Sequence, residues 1–188
     1  MEIYLIRHTT PLIKKGICYG QSDIDLTENF NEEFNIIKSK IPNQKGFKII
    51  SSPLKRCTLL AKKFSNDIIF DDRLKELNFG DWEMKPWNDI PEEKINPWMK
   101  DFVNVAVPNG ESYTQLAYRV QHFFDDLFNS EYQKNLIIVT HAGPIRVFLA
   151  KLLETHLKDS FNIKINYGDV FHFKKEHGKF NMITEIHS

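Results

Sequence analysis

Apolar residues recur along the chain in two alternating rhythms. Short runs rich in Ile, Val and aromatic residues occupy positions 3–6, 47–50, 68–70 and 136–139, each bounded by polar residues. Runs of that length and composition predict buried strands. Between them the apolar positions fall at helical spacing. Phe30, Phe34, Ile37 and Ile41 follow Thr27, which reads as an N-cap, and Leu54, Cys57, Ala61 and Phe64 follow Ser52-Pro53, where proline suits the first helical position. A longer helix is predicted from Ser112, whose spacing to Gln115 is that of a capping box, through Leu116, Val120, Phe123 and Leu127. Another opens at Gly143-Pro144 and carries Val147, Phe148 and Leu152 inward. Two strand-like stretches, 170–173 and 180–183, flank residues 174–178 and predict a closing hairpin. Alternating strands and helices imply an α/β fold, a three-layer sandwich on a mostly parallel central sheet. No composition break, repeat or Gly/Ser-rich stretch divides the sequence, so one domain is expected over 1–188, with a lid-like insertion at about 79–110 that holds Trp82, Trp87 and Trp98.

Charge narrows the function classes. The 188 residues carry 25 Lys+Arg against 25 Asp+Glu, and 13% are aromatic, which argues against a nucleic-acid scaffold and against a disordered chain. The first apolar run is too short for the core of a signal peptide, and the most hydrophobic stretch, 136–157, is interrupted by His141, Arg146, Lys151 and Glu154. A cytoplasmic location with no membrane partner is the expectation. Cys18 and Cys57 are too few for a disulfide framework or a thiolate zinc site, so reduced thiols are expected. His172, His177 and His187 lack a nearby carboxylate or thiol set, and no metal is predicted.

The candidate chemistry lies at strand ends. The first run leads into Arg7-His8, the second into Ser51-Ser52-Pro53-Leu54-Lys55-Arg56, and the fourth into His141-Ala142-Gly143. Ligands of open α/β sheets bind beyond the carboxyl ends of the strands, so two histidines and two arginines are expected to share one pocket. Such a pocket suits phosphate, because Arg forks bind its oxygens and helix starts add backbone N–H groups. The Arg charges favour a neutral imidazole, which can attack phosphorus and form a phosphohistidine. Other nucleophile schemes fail on spacing: the residues six places after Cys18 and Cys57 are Ile24 and Lys63, not Arg, and no P-loop, G-x-S-x-G elbow, dinucleotide turn or H-E-x-x-H helix occurs.

These residues resemble the histidine phosphatase superfamily, the phosphoglycerate-mutase-like family. Leu5-Ile6-Arg7-His8-Thr9 resembles its R-H-G motif, Ser52-Pro53-Leu54-Lys55-Arg56 its S-P-L-x-R motif, and Thr140-His141-Ala142-Gly143 its T-H-x-G motif. The stretch from Leu74-Lys75-Glu76 to Asp81-Trp82-Glu83 is similar to the segment that supplies the proton donor, and Pro108-Asn109-Gly110-Glu111-Ser112 to the P-x-G-E-S turn. The resemblance implies that His8 is the phosphorylated nucleophile, that Arg7, Arg56 and His141 bind the phosphoryl oxygens, and that Glu76 protonates the leaving oxygen, with Glu83 and Asp81 as rivals. It implies a metal-independent phosphomonoesterase with no cofactor, acting on a small phosphate ester, with a homodimer left open.

The sequence also departs from the pattern. Thr9 replaces the usual glycine, Thr10 the common glutamate, Lys14 the frequent asparagine, and Met84 the glycine that commonly follows Trp-Glu. Thr9, Lys14 and Gln21 are the further residues that can meet substrate. Within the family the short chain, the Cys18-Tyr19-Gly20-Gln21 stretch and the Trp-bearing segment look most like the α-ribazole-5'-phosphate phosphatases of cobalamin biosynthesis, with the tryptophans available to stack on an aromatic base. Two alternatives stay open: phosphoryl transfer of the phosphoglycerate mutase type, and a catalytically silent module that binds phospholigands.

Overall fold

The computed structural model describes residues 1–42, 44–129, 134–176 and 179–186. Six strands form one sheet: β1 (Glu2–Arg7), β2 (Lys48–Ser51), β3 (Ile68–Phe70), β4 (Leu136–Thr140), β5 (Val170–Glu176) and β6 (Lys179–Ile186), in the order β3-β2-β4-β1-β5-β6. The first four pair in parallel, and β5 and β6 are antiparallel additions. The strands and the closing hairpin stand where the apolar runs place them, although His177, Gly178 and His187 lie outside the described residues.

Strand alternation divides the core into two layers. Ile3, Leu5, Ile50, Ile138, Phe171 and Phe173 face α4 (Tyr113–Asn129) and α5 (Ala142–Leu152). Tyr4, Ile6, Ile49, Ile137, Val139 and Val170 face α1 (Phe30–Ser39) and α2 (Lys55–Lys62). Central strand β4 is covered on both sides, which explains its unbroken apolar run.

Helix starts differ in detail from their sequence signals. Ser112 and Gln115 form a reciprocal capping box at the start of α4, with bonds of 2.8 and 3.2 Å. Thr27 does not cap α1: Asn29 holds that place, and the buried Thr27 hydroxyl has no hydrogen-bond partner among the described residues. Pro53 is likewise not the first residue of α2, because Leu54 is still extended and the helix begins at Lys55. The α5 helix begins one residue earlier than expected, at Ala142.

Residues 79–110 contain two single 3-10 turns and α3 (Glu92–Lys100). Trp82, Trp87 and Trp98 pack there against one another and against Phe79, Ile90 and Val107, around Cys18. The three indoles are thus part of this segment's own apolar cluster, Trp82 buried and Trp87 and Trp98 partly so. A cavity of about 380 Å³ opens in this segment between Asp81, Lys85, Asp89 and Lys94, and it contains none of the strand-end residues.

Candidate active site

Register brings the strand ends together. Arg7 pairs with Thr140 and Ser51 with Val139, so β1, β4 and β2 finish side by side. The ladder runs one step further, His8 N–H donating to the Thr140 carbonyl at 3.0 Å and Ser52 N–H to Val139 at 2.9 Å. His8, Ser52 and His141 therefore emerge at one level, and Arg56 comes to them from the first turn of α2. All four are buried.

Arg56 is the hub. Its Nε–H points between Nε2 of His8, at 3.2 Å, and Nδ1 of His141, at 3.3 Å. Its terminal nitrogens donate to the carbonyls of Gly20 and of Ser22, the latter at 2.9 Å. The partners fix both tautomers. Nδ1 of His8 lies 2.7 Å from the Thr9 carbonyl, which only accepts, so Nδ1 carries the proton and Nε2 the lone pair. His141 accepts at Nδ1 and donates from Nε2 to the Ser52 hydroxyl at 2.8 Å. Burial above all, and then the charges of Arg56 and Arg7, hold His8 well below its ordinary value of 6.5. Burial and Arg56, with His8, Arg7 and Arg119 behind them, do the same to His141. The Arg charges foreseen from sequence are thus the second cause; desolvation is the first.

Arg7 donates from Nη1 to the Ile165 carbonyl at 2.7 Å and lies 3.8 Å over the Tyr167 ring. Tyr167 also approaches His8, ring to ring at 5.5 Å, and bonds through its hydroxyl to that of Tyr19 at 2.6 Å. Arg7 Nε and Thr9 Oγ1 are buried without a partner among the described residues. Two unpaired donors flanking His8 cost about 1–3 kcal/mol each, and an acceptor-rich group bound there offsets that cost. The region can therefore hold a tetrahedral oxyanion against a neutral, lone-pair-bearing imidazole.

Glu76 reaches the same region from the chain after β3. Its carboxylate accepts from the N–H groups of Gly143, at 3.1 Å, and Leu77, at 3.0 Å. The segment that carries it is clamped by Arg119, which donates to the carbonyls of Arg73, Lys75 and Glu76 at 2.7–2.8 Å while a two-pronged ion pair holds it to Glu111. Gln21 adds a bond from Nε2 to the Glu76 carbonyl at 3.0 Å. Glu83 faces elsewhere: it accepts from Gln21 N–H at 2.7 Å, from Phe79 N–H at 3.2 Å and from both donors of Ser22. It is thus neither a solvated carboxylate nor a member of the tryptophan cluster. Asp81 pairs with Asn109. Lys14 is exposed and its ammonium has no partner among the described residues. His172 pairs with Glu2 and stacks on Tyr4, away from the strand ends. Tyr167, Arg119 and Arg146 also reach this region and nothing in their spacing marks them, while Tyr19 is marked in the sequence only as part of the Cys18-Tyr19-Gly20-Gln21 stretch.

The family model of the histidine phosphatase superfamily (branch 1) matches residues 3–185. The chain belongs to the histidine phosphatase superfamily. A "Probable phosphoglycerate mutase GpmB" of Yersinia pestis is 31% identical, over 81% of this chain and 75% of its own. The solved α-ribazole phosphatase of Shigella flexneri superposes with a TM-score of 0.89 at 22% identity, covering 98% of this chain and 96% of that one. A phosphoserine phosphatase mutant of Entamoeba histolytica, solved with phosphoserine, gives 0.79 at 25% identity over 98% and 95%. This histidine phosphatase thus shares its fold with proteins whose named substrates differ. No helix among its described residues is long and apolar enough to cross a membrane.

Proposed function

We propose that the chain is a metal-independent phosphomonoesterase that works through a phosphohistidine at His8. The observation that carries this reading is the state of the imidazole, buried, proton on Nδ1, lone pair on Nε2, beside Arg56. In the first step the Nε2 lone pair forms a bond to phosphorus as the ester P–O bond breaks, and the Glu76 carboxylic acid gives its proton to the leaving oxygen. In the second step the Glu76 carboxylate takes a proton from water, the water oxygen attacks phosphorus, and the P–N bond returns its electron pair to Nε2. Arg7, Arg56 and His141 offset the charge on the equatorial oxygens. Thr9 supplies a hydroxyl donor, Gln21 steadies the Glu76 backbone, and Lys14 is free to meet the outer part of the substrate.

The substrate in this reading is a small phosphorylated metabolite. The likeness to the α-ribazole phosphatase supports α-ribazole 5'-phosphate, and the likeness to the phosphoserine phosphatase supports a phosphorylated hydroxy acid. We further infer one domain over residues 1–188, residues 79–110 acting as a lid, and a cytoplasmic setting. Hydrolysis of an aryl phosphate in EDTA by the wild type, lost in His8→Ala, is the expected result; undiminished turnover by that variant overturns the mechanism. Exchange between 2- and 3-phosphoglycerate faster than release of phosphate identifies a mutase instead, and phosphate binding without turnover on any substrate identifies a silent module.

A further inference from the structure

One charged side chain near the strand ends has no part in the chemistry above. Arg146 leaves α5 one turn beyond Gly143, on the helix face that holds the Glu76 carboxylate. It is half-buried. Its Nε donates to the Ile163 carbonyl at 3.3 Å, and its guanidinium lies 5.1 Å over the Phe161 ring. Arg7 is held alike two residues further on, by the Ile165 carbonyl and the Tyr167 ring. One strip of chain, 161–167, thus fixes two guanidinium groups, each on a carbonyl and an aromatic face. The two carbonyls are at most about 7 Å apart, which sets Arg146 one small-molecule length from the phosphoryl pocket.

The terminal nitrogens of Arg146 have no hydrogen-bond partner among the described residues, and no ion pair joins it to Glu76, whose carboxylate is taken up by the N–H groups of Gly143 and Leu77. Glu76, Tyr113 and Arg7 are the ionisable groups whose fields reach it, and burial makes its cation less favourable than in water. A guanidinium with its back edge tied and its front fork open matches a carboxylate, which it binds through two parallel N–H bonds. Glu76 marks the side on which the ester oxygen leaves, and Arg146 stands on that side.

We propose that Arg146 binds a carboxylate on the alcohol part of the substrate, so that the preferred substrates are phosphate monoesters of small hydroxy acids. This rests on the phosphomonoesterase reading and decides between its two substrates: phosphoserine has such a carboxylate and α-ribazole 5'-phosphate has none.

The test compares phosphoserine, O-phosphoethanolamine, which is the same ester without the carboxylate, and an aryl phosphate, on the wild-type full chain and on Arg146→Met. The wild type is expected to prefer phosphoserine to phosphoethanolamine by about 10- to 100-fold in kcat/KM, the range for hydrogen bonds to a charged group. Arg146→Met is expected to erase that preference through KM, with the aryl phosphate changed less than about threefold, and Arg146→Lys, which keeps charge without the fork, to retain part of it. Equal kcat/KM for the two esters in the wild type, or a preference that survives in Arg146→Met, overturns the proposal. A wild type inactive on all three esters refutes the phosphomonoesterase reading instead. Calorimetric titration with the same two alkyl phosphates then judges Arg146 alone, and equal affinities sink it. Thermal melting checks that Arg146→Met folds, and if it does not, Arg146→Lys and Arg146→Gln carry the comparison.

Discussion

The backbone N–H of Gly143 donates to the Glu76 carboxylate at 3.1 Å, and a Cβ on Gly143 would lie 2.2 Å from the same Oε1. The glycine is there for close approach, since its backbone is ordinary helix. Gly143→Ala pushes the carboxylate away from the leaving oxygen. An alkoxide needs a proton in order to leave and a nitrophenolate does not. We expect kcat on an alkyl phosphate to fall by about 100-fold, the scale of general-acid catalysis, with a much smaller loss on nitrophenyl phosphate. Equal losses on the two substrates would mean that Glu76 is not the acid.

Glu83 supports Arg56 from two contacts away. Its carboxylate holds the N–H groups of Gln21 and Ser22, and the carbonyls of Gly20 and Ser22 hold Arg56. Glu83→Ala frees the loop and with it the guanidinium. The expected result is a rise of about tenfold in KM and in the inhibition constant of inorganic phosphate, the weight of one charged hydrogen bond, with kcat less affected. Glu83→Gln, which keeps one acceptor, falls in between. A loss confined to kcat on alkyl phosphates would instead give Glu83 the role of acid.

Strands and their chemistry were legible because both are local. Apolar runs of three to four residues are bounded by the residues that end them, and the parallel register does the rest by bringing Arg7, Ser51 and Thr140 to one edge. Helix starts were read less well. Thr27 and Pro53 carry the right side chains for a cap and a first turn, yet loop paths set by distant contacts, such as Thr27 N–H on the Thr10 carbonyl, decide where the helices begin. Long-range clamps were not legible at all: Arg119 meets carbonyls more than 40 residues away, and Arg7 meets Tyr167 through chain that has no motif of its own. Met84 is a case in between. The sequence marks it as a departure from glycine, and the structure gives it a positive φ.

That φ of 64° places Met84 in the left-handed region, with its N–H on the Cys18 carbonyl at 2.8 Å. The side chain is exposed, so little burial is lost by removing it. A non-glycine residue costs about 1 kcal/mol in this conformation. Met84→Gly is therefore expected to raise the melting temperature by about 2–4 °C at unchanged kcat/KM, as read by calorimetry and by the aryl phosphate assay. A lower melting temperature would mean that the flexibility added to the unfolded chain outweighs the relief of strain.

The two buried imidazoles give the pH dependence of stability a definite sign. His8 and His141 are both held well below 6.5 in the folded chain, by burial first and by Arg56 next. Above pH 6.5 they are neutral whether the chain is folded or not, and they contribute no slope. As the pH falls below 6.5 the unfolded chain takes up two protons that the folded one refuses, so stability declines until the depressed folded values are reached. Each group contributes at most about 1.4 kcal/mol per pH unit in that window. Urea unfolding of the wild type and of His141→Gln at pH 7.5, 6.5 and 5.5 measures this. The variant lacks one of the two refused protons, and its stability is expected to fall between pH 6.5 and 5.5 by about 1 kcal/mol less than that of the wild type, because at pH 6.5 the unfolded imidazole is already half protonated. Identical declines in the two proteins would mean that His141 takes up its proton in the folded state, beside Arg56, and that burial does not hold it neutral there.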